Sequence, residues 1–341
     1  MYLPFPLKKH SRNIHRISSF KSIVAVILFS MASQMAEAQS WITLEVIGDM
    51  QARQANAFMA CKGKFYLIGG RGLQPVDIFD PSTGQWHKGA GPPVEMHHFQ
   101  AVRYGEEIWV MGAFTGSFPN EKPLEHIYIY DTAEDRWRRG DPIPGDRLRG
   151  SAGIAVYRGM FYMIGGTRDR YKRSGTSWVD RYDPKTGKWK QLNDAPRARD
   201  HFHAGICNGK IYVAGGRNTF LNQRKESERT IAEVDVFNIE TGRWKTLPES
   251  QNLPTQRAGC TTVVIMDHIL VIGGESMAQE EAFDVVEAYD VEREVWEQWD
   301  NLSQGRHGTQ AFMCVGSVFI TSGSGSRDGG TTLTSIERLT F

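Results

Sequence analysis

The chain has 341 residues, of which 40% are hydrophobic, so it is long enough to bury a sizeable core. Its 40 lysine and arginine residues nearly balance its 39 aspartate and glutamate residues, which argues against nucleic acid or an anionic membrane surface as a partner. The 35 glycines indicate many tight turns.

The first 38 residues have the layout of a secretory signal peptide. Basic residues between Lys8 and Lys21 precede an apolar run at 23–29, and Ala36-Glu37-Ala38 offers a small-residue cleavage site. The run is too short to span a bilayer comfortably, although an uncleaved anchor is the alternative. We therefore expect a secreted or periplasmic protein without membrane contact after cleavage, with 35 basic and 38 acidic residues and a formal charge of −3.

A repeated unit of about 50 residues occupies the remaining chain, 39–341. Glycine doublets or close variants stand at 69–70, 112–113, 165–166, 215–216, 273–274 and 322–323. Sixteen residues before these doublets stand Arg53, Met96, Arg149, Arg199, Arg257 and Arg306. An aromatic residue precedes a tryptophan by seven positions in five units: Phe79 and Trp86, Tyr130 and Trp137, Tyr182 and Trp189, Phe237 and Trp244, and Tyr289 and Trp296.

Each unit therefore predicts four short strands, joined by turns such as Asn208-Gly209. The sixth unit ends at Phe341 without its tryptophan strand, whereas the segment 40–47 begins with a tryptophan strand that no unit precedes. Joining the two completes one blade, so the N-terminal strand closes a ring of six and removes the exposed sheet edges. The predicted blades cover about 51–90, 94–142, 147–195, 197–250, 255–300 and 304–341.

The segments Asp80–Trp86 and Asp183–Trp189 resemble the kelch repeat, with Asp-Pro followed by Thr-Gly and tryptophan. The resemblance implies an all-β, six-bladed kelch β-propeller closed by the N-terminal strand. The chain is also distantly similar to exported bacterial sialic acid mutarotase-like kelch proteins, which implies a sugar acid as a ligand. Their catalytic segment has no residue-by-residue match in this sequence.

Four cysteines remain after cleavage, at positions 61, 207, 260 and 314. An exported chain could pair them. However, Cys61, Cys207 and Cys314 occupy the same place in three different repeats, and equivalent places are held apart in a propeller. We therefore expect free thiols that act as small buried apolar residues.

In kelch propellers the loop before each inner strand and the loop after each doublet open onto one face, here called the mouth. The residues predicted to bind a ligand there are Arg53, His97, His98, Arg149, Arg199, His201, His203, Arg217, Arg257, Arg306 and His307. Guanidinium groups suit carboxylate, sulfate or phosphate. The alternative for the five repeat arginines is a structural role, bonding loop carbonyls or neighbouring acids.

The candidates for catalysis are His201, His203 and Glu275, since histidine and glutamate are the usual general acids and bases. His201 and His203 are two positions apart and would share one face of a strand. A single His-x-His is a weak metal signal, and no aspartate or cysteine completes a ligand set, so we expect no metal site and no cofactor.

Three functions remain open at this stage. The first is binding of a small anionic molecule, a carbohydrate or sugar acid, at an arginine- and histidine-lined mouth. The second is an enzyme that uses the same site, either a sugar-acid mutarotase or epimerase, or a lyase. The third is a protein–protein interaction platform, for which the long loops would be the contact surface.

Overall fold

Each repeat folds into one four-stranded antiparallel sheet, in which strands that follow one another in the chain are hydrogen-bonded neighbours. The computed structural model describes residues 40–117, 119–169, 174–219 and 230–341, so the predicted signal segment 1–38 lies outside the described residues. No helix in these described ranges has the length and apolar character needed to cross a bilayer.

The strands of the first three blades begin with the inner strand and end with the outer one. Blade 1 contains Asn56–Cys61, Lys64–Gly69, Asp77–Asp80 and Gln85–Lys88. Blade 2 contains Val102–Tyr104, Glu107–Val110, His126–Asp131 and Arg136–Pro142. Blade 3 contains Gly153–Tyr157, Met160–Ile164, Val179–Asp183 and Lys188–Gln191.

The other three blades repeat this arrangement. Blade 4 contains Ala204–Cys207, Lys210–Val213, Asp235–Asn238 and Arg243–Thr246. Blade 5 contains Thr261–Ile265, His268–Ile272, Val286–Asp290 and Val295–Trp299. Blade 6 contains Ala311–Cys314, Ser317–Thr321, Ile336–Thr340 and, as its outer strand, Ser40–Thr43.

Small elements lie between the main strands. Phe114–Thr115 pairs with Lys122–Pro123 to form a short hairpin in the loop of blade 2. Single 3-10 turns occur at Gly145–Arg147, Glu249–Gln251 and Arg327–Gly329. The inner strands of neighbouring blades contact one another around the whole ring.

The N-terminal strand closes the ring, as predicted. Trp41 lies opposite Leu339 in the register of blade 6, and its indole Nε1 donates a hydrogen bond to the carbonyl of Asp300, 2.9 Å away in the chain segment that leaves blade 5. Trp41 is buried, whereas its neighbour Ile42 is exposed. The strand therefore contributes one buried anchor and one closed sheet edge.

The spacing of seven between aromatic residue and tryptophan reflects direct cross-strand pairing. In five blades the two residues are register partners on the third and fourth strands, for example Tyr182 and Trp189. Their ring centroids are 4.8 Å apart in this pair and 5.4 Å apart for Tyr289 and Trp296. Such pairs add to sheet stability beyond the area they bury.

Side-chain amides satisfy backbone groups of the inner strands on the ring axis. Gln100 of blade 2 accepts hydrogen bonds from the backbone N–H groups of Ile154 (2.8 Å) and Ala204 (2.9 Å), which belong to blades 3 and 4. Gln310 of blade 6 exchanges two 2.9 Å bonds with the backbone of Ala101 in blade 2. The bonds of Gln100 to Ala204 and of Gln310 to Ala101 join non-neighbouring blades across the axis. Such bonds form because inner strands are sheet edges whose polar groups need partners.

The four cysteines are free thiols, as expected, and Cys61, Cys207 and Cys260 are buried.

Candidate functional site at the propeller mouth

The five repeat arginines point into their own blades. Their side chains are at most 3% exposed, and each forms an ion pair with a carboxylate on the third strand of the same blade. The pairs are Arg53 with Asp77, Arg149 with Asp180, Arg199 with Asp235, Arg257 with Glu287, and Arg306 with Glu337. In blade 2, which lacks the arginine, Met96 fills the corresponding buried place.

Backbone carbonyls complete the coordination of these arginines. Arg149 donates to the carbonyls of Gly165 (2.6 Å) and Met163 (2.9 Å) and lies 2.8 Å from Asp180. Burial lowers the pKa of Arg149 to about 10, and the charge of Asp180 opposes that shift, so the guanidinium stays cationic at neutral pH. The prediction that Arg53, Arg149, Arg199, Arg257 and Arg306 line the mouth as ligand-binding residues is therefore corrected. Apart from Nε of Arg306, which is buried without a hydrogen-bond partner, their guanidinium groups are engaged inside the blades, which indicates a structural role.

A closed ring of six residues surrounds the axis at the mouth. Each lies two positions after the repeat arginine or Met96 and has a left-handed backbone, with φ between 54° and 64°: Ala55, His98, Ser151, His201, Gly259 and Gly308. From blade to blade, the N–H of one member donates to the carbonyl of the previous member at 2.8–3.2 Å, and Asn56 N–H closes the circle onto Gly308. Residues other than glycine seldom adopt this conformation, yet four ring members are not glycine, and two of these four, His98 and His201, carry titratable side chains.

His98 and His201 meet at the centre of this ring. Their imidazole centroids are 5.3 Å apart in an edge-to-face arrangement, although they come from blades 2 and 4. Together with His203 they line a cavity of about 40 Å³ on the axis. Such a volume holds only a few water molecules, so a larger ligand must sit on the mouth side of the ring.

His201 is held between an acid and a base. Its Nδ1 is hydrogen-bonded to the buried carboxylate of Asp200, and Arg217 donates to its Nε2 at 3.1 Å. The Nδ1–H therefore donates to Asp200 while Nε2 accepts. Burial alone would raise the pKa of Asp200, but the hydrogen bond from His201 and the charge of Arg217 lower it below its ordinary value.

Arg217 extends this network to blades 5 and 6. Its Nη1 lies 3.3 Å from Oε1 of Glu275, and the other oxygen of Glu275 lies 3.6 Å from Nε2 of His307. That Nε2–H donates to the carbonyl of Ser326 at 2.9 Å. The arrangement follows from the backbone, because in blades 3 to 6 paired N–H···O bonds join the residue after the repeat arginine to the residue after the doublet, as in Asp200 with Arg217 and Ala258 with Glu275.

A second cluster lies on the blade 2 side of the ring. Nδ1 of His97 is 2.6 Å from Nδ1 of His98, and Nε2 of His97 is 3.0 Å from the carbonyl of Gly116. The buried carboxylate of Glu121 lies 4.0 Å from His97 Nε2 and 2.8 Å from Arg71. Burial is the main cause that lowers the pKa of His97, and the charge of Arg71 adds to it. His97, His98 and Glu121 each offer a ligand atom within 4.8 Å of the others. Sequence reasoning missed Glu121, whereas Arg71 follows the first doublet and was expected at the mouth but not among the ligand-binding residues.

His203 belongs to the interior of the channel. The inner strand of blade 4 begins only at Ala204, so His201 and His203 do not share a regular strand face, contrary to prediction. His203 Nδ1 bonds the hydroxyl of Thr261 at 3.0 Å, and burial lowers its pKa to about 4. The residues that the structure gathers at the mouth are thus His97, His98, His201, Arg217, Glu275 and His307.

Comparison with known proteins agrees with this architecture. The family model of the Attractin/LZTR1 β-propeller matches residues 26–277. The kelch-like protein terF of Aspergillus terreus is 26% identical over 83% of this chain and 64% of its own length. The human kelch-like protein 23 is 26% identical over 80% of this chain and 46% of its own length. The chain thus spans about half to two thirds of the curated relatives it matches.

A solved structure shows the same fold. The structure titled "Structure of YjhT" superimposes with a TM-score of 0.70 at 15% identity and covers 86% of this chain and 97% of that one. The prediction of a six-bladed kelch β-propeller is therefore confirmed, and this fold supports a binding or protein-interaction platform. Export and the mutarotase resemblance stay predictions. With the family model matching most of its length, the chain belongs to the Attractin/LZTR1 β-propeller family.

Proposed function

We propose that the protein is a binding platform that holds a small hydroxylated ligand, a sugar or sugar acid, at the mouth. The observation that carries this proposal is the convergence of His98, His201, Arg217 and Glu275 from three blades onto the left-handed ring. Titratable side chains that converge from separate elements at a concave surface are the usual mark of a ligand site.

The chemistry of the cluster favours hydroxyl groups. Carboxylate oxygens of Glu275 accept hydrogen bonds, Arg217 donates them, and the imidazoles do either. A sugar presents hydroxyls that donate and accept at once, so such a mixed set can bind neighbouring hydroxyls. Arg217 is 26% exposed, which leaves its guanidinium accessible from the mouth.

Charge does not single out an anion. The five arginines that would have made the mouth cationic are neutralised inside the blades. Arg217 lies 3.7 Å from Asp200 and 3.3 Å from Glu275, so its charge is already countered. A sugar acid would bind by replacing Glu275 on Arg217, and a neutral sugar would bind without that exchange.

The proposal is tested by thermal-shift screening followed by calorimetric titration of neutral sugars, uronates and N-acetylneuraminate. We expect at least one sugar to raise the melting temperature, and Arg217→Ala to weaken its binding about tenfold or more, because a ligand hydrogen bond to a charged group is lost. Arg293→Ala is the matched control, since Arg293 is exposed on the outer part of blade 5 and should leave binding unchanged. No shift with any sugar, or equal loss in both variants, would contradict the proposal.

Catalysis at the same site is a second proposal, which the Asp200–His201 pair favours. The buried carboxylate of Asp200 fixes Nδ1 of His201, which leaves Nε2 as the proton acceptor once a bound ligand takes Arg217 away from it. The test is the rate of anomer exchange of the bound sugar, followed by NMR. His201→Ala should abolish any acceleration without unfolding the chain, because Ala55 occupies the same ring position in blade 1 with φ 59°. Equal acceleration by the variant and the native protein would remove His201 from catalysis.

A further inference from the structure

The imidazole rings of two consecutive residues in blade 2, His97 and His98, lie side by side. Side chains adjacent along a strand point to opposite faces. Here the left-handed backbone of His98 (φ 54°) breaks the alternation, and the imidazole centroids of His97 and His98 come within 4.8 Å. Their Nδ1 atoms are 2.6 Å apart, so the backbone brings two potential ligand nitrogens together.

The hydrogen bond of His97 to Gly116 assigns its tautomer. A carbonyl oxygen only accepts, so the hydrogen lies on Nε2 and the lone pair of neutral His97 lies on Nδ1, facing His98. A metal-binding histidine characteristically donates its other N–H to a carbonyl or carboxylate, and this contact orients the ring. His97 already has such a contact at 3.0 Å, and its ring is completely buried.

Glu121 supplies the carboxylate that sequence reasoning did not find. The short hairpin Phe114–Thr115 with Lys122–Pro123 returns the chain to His97 and buries the Glu121 side chain. Arg71 pairs with this carboxylate at 2.8 Å, but Arg71 is about one third exposed and has room to turn toward solvent. A bound cation would then take over its role of neutralising Glu121.

We propose that His97, His98 and Glu121 form a binding site for a zinc-class divalent transition metal. Two imidazoles and one carboxylate suit zinc, copper or nickel, and three protein ligands leave one position for water. Without metal, Nδ1 of His98 carries the hydrogen that bridges to Nδ1 of His97. When metal binds, His98 changes tautomer by exchange with water, so that the hydrogen lies on Nε2 and both Nδ1 atoms present lone pairs. Tetrahedral zinc with bonds of about 2.0–2.1 Å sets ligand nitrogens roughly 3.3 Å apart, so the two Nδ1 atoms separate by less than an ångström. This site shares only His98 with the proposed sugar site and does not use Arg217 or Glu275, so Glu121→Gln tests the metal site alone.

The test is binding of Zn²⁺ alone to the full chain, purified without chelator, by calorimetry and elemental analysis. We expect one zinc per chain, and about tenfold or greater loss of affinity in both His98→Ala and Glu121→Gln. Ala55 shows that alanine is tolerated at the backbone position of His98. Circular dichroism and the melting temperature of each variant confirm its folding.

His307→Ala is the matched control for these variants. His307 holds in blade 6 the place of His97, and its Nε2 donates to the carbonyl of Ser326 at 2.9 Å, but Gly308 follows it in place of a second histidine. This variant should bind zinc as the native chain does. Absence of zinc binding by the native chain, or unchanged affinity in folded His98→Ala and Glu121→Gln, would overturn the proposal.

Discussion

His98 and His201 lie edge to face with their ring centroids 5.3 Å apart, each on a left-handed residue of the same backbone ring. The two rings come together because equivalent residues of a propeller surround the same axis, and two of these equivalent positions carry histidine. The other ring positions carry Ala55, Ser151, Gly259 and Gly308, which are small. Because these four side chains are small, the two imidazoles are the large groups at the centre of the mouth. The titratable groups of the ring therefore lie on the side formed by blades 2 to 4.

Removing a repeat arginine should destabilise the fold rather than affect a ligand. Arg257 is fully buried and bonds Glu287 as well as the carbonyls of Gly273 and Val271. Arg257→Ala leaves the Glu287 charge buried without its partner, so we expect a loss of about 3–5 kcal/mol in the free energy of unfolding, measured in urea. Arg293→Ala, which removes an exposed ion pair, should cost less than about 1 kcal/mol. Similar small losses in both variants would contradict the structural role.

Closure of the ring depends on one side chain of the N-terminal strand. Trp41 is buried against the end of blade 5 and is 8% exposed, whereas Ile42 is 42% exposed on the same strand. Trp41→Ala should lower the free energy of unfolding by about 3–5 kcal/mol, since it opens a large cavity at the closing blade. Ile42→Ala should change it by less than about 1 kcal/mol. Equal effects of the two substitutions would mean that the strand does not latch the ring as described.

Stability should fall in weakly acidic solution because of His203. Burial lowers its pKa to about 4 in the folded chain, against 6.5 as its ordinary value. Between pH 4 and pH 6.5, His203 is therefore mostly protonated in the unfolded chain and mostly neutral in the folded chain. The stability due to neutral His203 is complete above about pH 6.5 and declines as the pH falls toward 4, by about 3 kcal/mol in total.

Urea unfolding from pH 7 to pH 4 measures this decline. His203→Gln keeps a polar side chain without a titration in this range, so its stability should depend less on pH than that of the native chain. The pKa of His97 is also lowered, but this residue is present in both proteins and contributes the same pH dependence to each. Parallel pH profiles of the two proteins would exclude His203 as the source.

The sequence was sufficient for the blades but not for the direction of the arginines. Doublets, aromatic residues and tryptophans at fixed spacing predict the strands, because the same residue types occupy the same packing positions in each blade. A second regularity would have placed the arginines as well. Each acidic partner of a repeat arginine stands two residues before the third-strand residue that pairs with the tryptophan, as Asp180 stands before Tyr182. In blade 2, where Met96 replaces the arginine, Tyr128 replaces the acid at this position. Acid and arginine are thus present or absent together.

Alternating strand patterns could not predict the left-handed backbone of the ring residues. A period of two assumes regular strand geometry, which begins only at Ala204, so the predicted strand through His201 and His203 was wrong, although both residues line the axial cavity. Glu121 was missed for another reason. It approaches His97 through the loop after the doublet of blade 2, whose hairpin pairs Phe114–Thr115 with Lys122–Pro123. Loops of this kind differ in length from blade to blade, so the repeat pattern does not predict which residue such a loop brings back to the mouth.

A crystal structure of the protein with the sugar that raises its melting temperature most is the direct test of the sugar site. We expect a sugar on the mouth side of the ring, with hydroxyl or carboxylate oxygens within about 3.2 Å of Nε2 of His201 or of a guanidinium nitrogen of Arg217. A sugar bound away from the mouth, such as in the rim pocket beside Trp178, with the His201–Arg217–Glu275 contacts unchanged, would contradict it.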